Sequence, residues 1–287
     1  MLKQLKRKGI LALACVISIF SMSVCAFAKP DWPLDTGCQS EAGIVMDLDS
    51  GAVLFAQNIH VQEYPASITK LLTALVVVEN ASMDEQVTFS HDAVYNVESG
   101  SGNKLQLEEG DVLSVKDCLY VMLLQSSNQA ANALAEHVGG SREAFADMMN
   151  EKAKKLGMEN THFMNTNGLD EDDHYSSARD VAIMSRELMK HETIFNYTSI
   201  WMDTLRGGKF QLANTNKLIR FYDGANGLKT GSTSKALCCL SAAAKRNDMQ
   251  LIAVVLGAPT SAERFASAKS LLDYGFANYA VNTQITA

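Results

Sequence analysis

The sequence predicts an α/β protein of the α+β type, in which an antiparallel sheet built from both chain ends carries flanking helices and an inserted helical lobe. Two observations support this class. Short apolar runs separated by turn residues stand near both ends of the chain, and segments with helical periodicity fill the middle. Strands grouped apart from helices are typical of an α+β architecture.

The first 28 residues differ from the rest of the chain. A basic start is followed by the apolar stretch 10–20 and then by Ala26-Phe27-Ala28. This order is typical of a secretory signal peptide that is cleaved after Ala28. An uncleaved membrane anchor is the alternative, but the apolar stretch is short for a spanning helix. We therefore expect a secreted, extracytoplasmic domain over residues 29–279.

Composition is that of an ordinary globular protein, because 47% of the 287 residues are hydrophobic and 20% are charged. Without the four basic residues of the signal segment, 21 basic residues remain against 32 acidic ones, a net charge of −11. This balance argues against nucleic acid and anionic lipid as the main partners.

Cysteines and histidines give no sign of a metal site. Cys238 and Cys239 are adjacent in an apolar run, so they would point to opposite faces of a strand. We expect the cysteines outside the signal segment to be small buried residues rather than a disulfide framework. No Cys-x-x-Cys pair is present and the six histidines lack metal-ligand spacing, so we expect no metal and no cofactor.

Periodicity and turn residues predict the elements in order. An N-terminal hairpin is expected from two apolar runs around Asp-Ser-Gly: 43–47 and 52–56. Helices are expected from apolar residues at helical spacing with capping residues: 67–79, 113–124, 129–137, 142–156 and 178–189. A second hairpin and a last helix are expected near the C-terminus: 236–244, 251–256 and 262–274.

A serine and a lysine stand three residues apart at the start of the first predicted helix. Ser67 and Lys70 would lie on one face, about one turn apart, so the lysine can take the proton of the hydroxyl. The N–H groups of the helix start favour negative charge developing at the serine. Alone, the pair would more often be a helix cap and a surface lysine.

Two rival Ser-x-x-Lys pairs lack this context. Ser101 and Lys104 lie in a glycine-rich loop that cannot hold a catalytic geometry unaided. Ser232 and Lys235 lie at the start of a predicted strand, where residues three apart face opposite sides. The sequence therefore favours the pair at 67 and 70.

The second polar string is Ser126-Ser127-Asn128, which interrupts two apolar helices. Its side chains would be held in a rigid corner that faces a cleft, whereas the rival Ser101-Gly102-Asn103 lies in the loop. We select Ser126 and Asn128 as site residues. An ordinary helix corner capped by serine and asparagine is the alternative.

The third string, Lys229-Thr230-Gly231, is expected to precede a strand. Lys229 and Thr230 can hold an anion, and Gly231 allows a substrate backbone to approach closely. A basic turn is the alternative. Together the three strings supply a nucleophile, a base, a second hydroxyl with an amide, and a cationic strand edge, the set that serine acyl transfer uses.

The chain resembles the low-molecular-mass penicillin-binding D-alanyl-D-alanine carboxypeptidases, which are serine peptidases of the S11 type with the β-lactamase/transpeptidase fold. The resemblance runs from about residue 42 to 276. It includes the neighbourhoods of the three strings and the segments 135–140, 149–153, 167–170 and 215–218.

The resemblance implies that Ser67 is the acylated nucleophile and Lys70 its general base. It implies that Ser126 and Asn128 relay protons and hold the peptide. Lys70 must be neutral to accept a proton, and burial near another cation such as Lys229 would lower its pKa enough.

The resemblance further implies that Lys229 binds the carboxylate of the substrate, with Thr230 beside it. It also implies that the backbone N–H groups of Ser67 and Ser232 form the oxyanion hole. The expected partners are peptidoglycan peptides ending in D-Ala-D-Ala, with β-lactam antibiotics as inhibitors. The expected location is at the cell wall.

Three features depart from the family pattern. Ser127 and Gln129 replace the usual glycine and aspartate of the second string, and Leu237 replaces a common glycine after the third. The tail 280–287 is too short for the C-terminal β domain or the anchor helix of many relatives. These departures leave open a weakly active penicillin-binding or cell-wall-binding protein. A D,D-endopeptidase acting on cross-links is a close variant of the carboxypeptidase that the sequence also leaves open. A class A β-lactamase is not expected, because its Glu-x-x-Leu-Asn string is missing.

Overall fold

The computed structural model describes residues 36–97, 102–103 and 105–281. The predicted signal segment, the rival pair Ser101 and Lys104, and residues 282–287 of the tail lie outside this part of the chain.

The longer strands lie near both ends of the described chain, and most helices lie between them. The strands are β1 (Ala42–Asp47), β2 (Val53–Gln57), β3 (Gln86–Thr88), β4 (Val112–Ser114), β5 (Met202–Leu205), β6 (Phe210–Ala213), β7 (Ala225–Thr233), β8 (Leu237–Arg246) and β9 (Met249–Ala258). A 3-10 turn spans Ala66–Thr69, and the α-helices are α1 (Lys70–Asn80), α2 (His91–Tyr95), α3 (Val115–Gln125), α4 (Asn128–Gly139), α5 (Arg142–Leu156), α6 (Ala178–Leu188), α7 (Glu192–Thr198), α8 (Leu218–Phe221) and α9 (Ser261–Asn278).

The main sheet has five strands in the order β2-β1-β9-β8-β7, and every neighbouring pair is antiparallel. Strands from both ends of the described chain meet where β1 pairs with β9, for example at Ala42 opposite Leu256. The predicted α+β class with a terminal-strand sheet and an inserted helical lobe is thus confirmed.

The sheet is covered on both faces. Helix α9 packs on one face, and helix α6 packs on the other beside the helical lobe. All ten residues of β9 are buried in consequence. A strand covered on both faces needs a continuous apolar sequence, which explains the unbroken run that predicts it.

Two two-stranded ribbons, β3–β4 and β5–β6, are not evident in the sequence. Strands of three or four residues are too short to show a period of two. The helix expected to start at residue 113 begins at Val115 instead, because Leu113 pairs with Val87 in the first ribbon.

The start of the first predicted helix also differs from expectation. Ser67 lies in the 3-10 turn that follows Pro65, and the α-helix itself begins at Lys70. A 3-10 turn has three residues per turn, so side chains three apart stand directly above one another. The tighter turn therefore strengthens the reason for pairing Ser67 with Lys70.

The expectation that the third string precedes a strand is wrong. Lys229, Thr230 and Gly231 lie inside β7, and Lys235 lies in the turn between β7 and β8. Strand β7 carries few apolar residues and two glycines, so its pairing with β8 fixes it as a strand more than its own propensity does.

Four cysteines lie in the described part of the chain, and all are free thiols. Cys118 and Cys239 are buried as predicted, whereas Cys38 is half-buried. Cys239 is buried and Cys238 half-buried, as expected of neighbours on opposite faces of β8. Among the residues described, no helix combines the length and the apolar character needed to cross a membrane.

Candidate active site

The amine of Lys70 lies at the centre of the site. Lys70 is completely buried at the start of α1. Its Nζ lies 3.0 Å from Ser67 Oγ, 2.7 Å from Asn128 Oδ1 and 2.6 Å from the carbonyl oxygen of Asn167. Three separate segments of the chain therefore converge on one amine.

The three partners suit a neutral amine. The oxygens of Asn128 and Asn167 can only accept hydrogen bonds, so they take the two N–H groups of an NH₂. The remaining lone pair then faces Ser67 Oγ, which can donate. Burial lowers the pKa of Lys70 well below its ordinary range, and the charge of Lys229 lowers it further. The direction is the one expected from the sequence.

Two glycines let neighbouring segments close on the turn that carries Ser67. A Cβ at Gly168 would collide with the carbonyl oxygen of Ala66, and a Cβ at Gly231 would lie 2.9 Å from the backbone nitrogen of Ser67. The sequence suggests that Gly231 admits a substrate backbone. In the structure, however, its missing side chain makes room for the 3-10 turn.

A buried histidine holds the turn from the other side. His174 Nδ1 accepts from the N–H of Met164 at 3.1 Å, so Nε2 carries the hydrogen and donates to Thr69 Oγ1 at 2.8 Å. Burial lowers the pKa of His174 to about 4, which keeps the ring neutral at physiological pH. Thr69, one of the two residues between Ser67 and Lys70, is thereby fixed in place.

The second string forms the predicted corner between two helices. Ser126 ends α3 in the left-handed conformation with φ of 62°, Ser127 caps α4, and Asn128 is the first residue of α4. Asn128 reaches Lys70, but the half-buried hydroxyl of Ser126 makes no hydrogen bond to another residue that the structure describes. The structure thus brings Asn128, and not Ser126, into the network around Lys70.

Two departures from the family pattern contact each other. Ser127 Oγ donates to Gln129 Oε1 at 3.3 Å, and Gln129 Nε2 donates to the carbonyl oxygen of Gly102 at 3.1 Å. Gln129 is buried. Ser127 and Gln129 therefore connect the corner between α3 and α4 to Gly102, in the segment before α3.

The third string places a second buried lysine at the edge of the sheet. Lys229 Nζ donates to the carbonyl oxygen of Thr230 at 2.9 Å, and Thr230 Oγ1 donates to Thr215 Oγ1 at 2.7 Å. Burial and the nearby charge of Arg264 lower the pKa of Lys229 to about 7. This amine is poised to gain its proton when an anion binds.

Arg264, which carries no signal in the sequence, fixes the end of β7. Its Nη1 donates to the carbonyl oxygen of Gly231 at 3.1 Å and to Ser232 Oγ at 3.0 Å, and its side chain is buried on α9. Ser232 itself is exposed. An arginine at a helix start belongs to no motif, so only the fold reveals its partner.

Asp170, also missed as a site residue, joins the loop after Gly168 to the turn after β7. Its Oδ1 accepts from Thr233 Oγ1 at 2.6 Å and its Oδ2 from the N–H of Lys235 at 3.2 Å. Asn167 and Asp170 both lie in a segment that contributes to the family resemblance, and that is the available signal. Within the described ranges, no group of three His, Cys, Asp or Glu residues could hold a metal ion.

Comparisons with known proteins identify the family and the fold. A family model described as D-alanyl-D-alanine carboxypeptidase, of the peptidase S11 type, matches residues 29–260. D-alanyl-D-alanine carboxypeptidase DacF of Bacillus subtilis (strain 168) is 41% identical over 273 residues, which cover 92% of this chain and 69% of that relative. D-alanyl-D-alanine carboxypeptidase DacC of Escherichia coli (strain K12) is 34% identical over 286 residues, covering 97% and 71%. The crystal structure of the Streptomyces K15 DD-transpeptidase matches with a TM-score of 0.79 at 29% identity, over 86% of this chain and 99% of that one.

Proposed function

The chain belongs to the peptidase S11 family of D-alanyl-D-alanine carboxypeptidases, and we propose that it removes the terminal D-alanine from peptidoglycan stem peptides through an acyl-enzyme on Ser67. The observation that carries the proposal is the 3.0 Å contact between Ser67 Oγ and the buried amine of Lys70. A buried lysine of lowered pKa beside a serine hydroxyl is an activated nucleophile.

Binding begins at the sheet edge. The carboxylate of the terminal D-alanine is held by Lys229 and by the hydroxyl of Thr230. An anion beside Lys229 raises the pKa of this lysine from about 7 and so draws a proton onto the amine. The charged pair that results sets the scissile peptide bond beside the 3-10 turn.

Acylation follows as Ser67 Oγ attacks the carbonyl carbon of the penultimate D-alanine. The hydroxyl proton passes to Lys70 Nζ, and the carbonyl oxygen gains the negative charge of the tetrahedral intermediate. The N–H groups of Ser67 and Ser232 receive that charge, with Arg264 holding the β7 end that carries the second donor.

Collapse of the intermediate breaks the peptide C–N bond. The leaving nitrogen takes the proton that Lys70 received from Ser67, passed on through the Ser126 hydroxyl. Lys70 is then neutral again, and free D-alanine departs with an amino group. A water molecule then attacks the ester on Ser67 and loses a proton to Lys70. Lys70 returns that proton to Ser67 Oγ as the ester C–O bond breaks. The shortened peptide leaves with a free carboxyl group, and the serine hydroxyl is restored.

β-Lactam antibiotics follow the same route as far as the acyl-enzyme. The lactam carbonyl takes the place of the peptide carbonyl, and the ring nitrogen remains attached after the C–N bond breaks. The covalent product on Ser67 then blocks the cleft.

A labelling experiment with a release assay tests the proposal. Wild type is expected to bind fluorescent penicillin covalently and to release D-alanine from a pentapeptide ending in D-Ala-D-Ala, whereas Ser67→Ala does neither. Ser101→Ala, which alters the rival Ser-x-x-Lys, is the matched control and keeps both. Absence of labelling in the wild type would contradict the whole proposal.

Two further arms separate the close alternatives. If the wild-type protein cleaves a purified cross-linked muropeptide dimer as fast as it cleaves the pentapeptide, the result would favour an endopeptidase. Labelling without D-alanine release would favour a weakly active penicillin-binding protein, and the departures at Ser127 and Gln129 make this arm necessary.

The proposed location is outside the cytoplasmic membrane, at the cell wall. Cleavage after Ala28 predicts a mature protein that starts at Lys29 and has a net charge of −11. Mass determination of the secreted protein tests this, and retention of residues 1–28 in a membrane fraction would favour the anchor instead.

A further inference from the structure

A buried asparagine on α4 has no role in the chemistry described so far. Asn132 is 1% exposed and lies one helical turn after Asn128, so both amides share one face of α4. Asn128 contacts the amine of Lys70 directly. Asn132 faces the neighbouring loop instead.

The amide of Asn132 grips the loop segment that holds Lys70. Its Oδ1 accepts from Thr166 Oγ1 and from Asn167 Nδ2, each at 3.2 Å. The carbonyl oxygen of Asn167 is in turn 2.6 Å from Lys70 Nζ. One residue therefore separates Asn132 from the proposed base.

The direction of the Asn132 amide is fixed by its surroundings. Asn167 Oδ1 accepts from the N–H of Leu169 at 3.0 Å, so Asn167 must present its NH₂ to Asn132. The Asn132 atom that accepts this hydrogen bond must therefore be its oxygen, Oδ1. Its own NH₂ is buried and has no hydrogen-bond partner among the described residues.

An unpaired buried donor costs free energy that an apolar side chain would not incur. A side chain that served only packing would therefore be better without this amide. The oxygen of Asn132 must then contribute something that an apolar residue cannot, and its two hydrogen bonds both end on residues 166–167.

We infer that Asn132 is a positioning residue, whose amide oxygen fixes Asn167 so that the Asn167 carbonyl holds the amine of Lys70 with its lone pair toward Ser67. The inference rests on the proposed acyl-enzyme function. Helix α4 then acts on both acceptors of the Lys70 amine, because it carries Asn128 itself and positions Asn167 through Asn132.

Other titratable groups also lie near Lys70. In the described part of the chain these are Lys229 on β7 and His174 in the loop after α5, and both interact with Lys70 electrostatically. Asp170 acts on His174. The pH dependence of a residue 132 variant must therefore be measured in a protein that keeps Lys229, His174 and Asp170.

The test uses Asn132→Leu and its near-isostere Asn132→Asp, assayed for penicillin acylation rate across neutral and alkaline pH. Asn132→Leu removes the acceptor, and the plateau rate is expected to fall by about ten- to a hundredfold because the base loses its alignment. Asn132→Asp keeps the acceptor and adds a negative charge, so it is expected to keep a plateau near the wild type. Its pH midpoint rises by about one unit.

The matched control is Asn150→Leu. Asn150 holds the same loop farther along, through two 2.8 Å hydrogen bonds with the backbone of Phe163. This variant is expected to melt at a lower temperature with an unchanged pH midpoint and acylation plateau.

The inference would be overturned if Asn132→Leu reached the wild-type plateau of the acylation rate, or if the pH midpoint of acylation in Asn132→Asp did not shift. The proposed function would still stand in either case. A wild-type protein that penicillin does not acylate would overturn both. If Asn132→Leu does not fold, the midpoint of Asn132→Asp alone decides.

Discussion

Two lysines are completely buried in the described part of this molecule, and they differ in what surrounds their amines. Lys70 lies between two oxygen acceptors and a serine hydroxyl contributed by three segments of the chain. Lys229 lies at the sheet edge, where the carbonyl oxygen of Thr230 is its one hydrogen-bond partner among the described residues. Burial lowers the pKa of both.

The difference shows how one fold gives the same residue type two tasks. Two acceptor oxygens of the protein take the N–H groups of a neutral Lys70, so the lone pair of that amine faces the reaction centre at Ser67. Lys229 has fewer partners among the described residues and a pKa of about 7, so a bound anion can charge it. The first lysine is suited to be a base and the second to be an anion receptor.

The largest expected effect follows from removing the base. Lys70→Met should lower the penicillin acylation rate by about a hundredfold to ten-thousandfold, because a general base contributes that much. The affinity of the initial complex should change little. Stopped-flow acylation at several penicillin concentrations separates the two quantities.

The control is Lys152→Met, which removes a lysine paired with Glu79 on the surface of the helical lobe. It should acylate as the wild type does. An acylation rate in Lys70→Met close to that of the control would remove the distinction between the two buried lysines.

A smaller effect is expected at the anion receptor. Lys229→Met should raise KM for a peptide ending in a free carboxylate by about ten- to a hundredfold, because a hydrogen bond to a charged group contributes about 1.5–3 kcal/mol. The same peptide with an amidated C-terminus should bind wild type and variant equally. Steady-state kinetics on the two peptides measure the difference.

Equal losses for the carboxylate and the amide peptide would show that Lys229 does not recognise the carboxylate. In that case the role of Lys229 would be limited to lowering the pKa of Lys70.

The fold was largely predictable from the sequence, and the reasons are local. The hairpin β1–β2, helix α5 with its C-terminal Gly157, and the pair β8–β9 all carry their own periodicity and turn residues. Strand β7 could not be predicted, because its Gly, Thr and Ser residues acquire strand geometry by pairing with β8.

The site was predictable only where the chemistry stands close together in the chain. Ser67 and Lys70 stand three residues apart at a predicted helix start, and this context singles out their contact among the Ser-x-x-Lys pairs. The helix corner likewise points to Asn128, which reaches Lys70. The carbonyl of Asn167 lies 97 residues from Lys70, and a backbone oxygen leaves no trace in residue identity. Arg264 likewise reaches Ser232 only because α9 packs on the sheet.

The pH dependence of binding should sharpen the assignment of Lys229. Below about pH 7 the amine carries its proton and attracts the carboxylate, whereas above this pH binding must take up a proton. KM for the carboxylate peptide should therefore rise with pH, by about tenfold per unit at most. In Lys229→Arg the rise should vanish, because arginine stays charged.

A KM that stays flat in the wild type through this range would mean that Lys229 keeps its proton without a ligand. The buried lysine would then be charged at rest, in contrast to the neutral Lys70, and the two regions would differ more than the structure indicates.

The smallest expected effect concerns Leu237, the first residue of β8, which pairs with Thr233 at the end of the edge strand β7. Leu237 is 42% exposed and has φ of 56°, a conformation that costs a non-glycine residue about 1–2 kcal/mol. Leu237→Gly removes this strain but adds freedom to the unfolded chain, which costs about 0.5–1 kcal/mol. The net gain in the free energy of unfolding should therefore lie between about 0 and 1.5 kcal/mol, measured by urea denaturation.

The rate of acylation by penicillin shows whether the strained backbone at Leu237 has a functional role. If the glycine variant is more stable and acylates as before, the leucine is only tolerated at this position. If it is more stable and acylates more slowly, the strained side chain contacts the bound ligand, and the sheet edge recognises more of the substrate than its carboxylate. A less stable variant would show that the exposed leucine packs against its neighbours strongly enough to outweigh its backbone conformation.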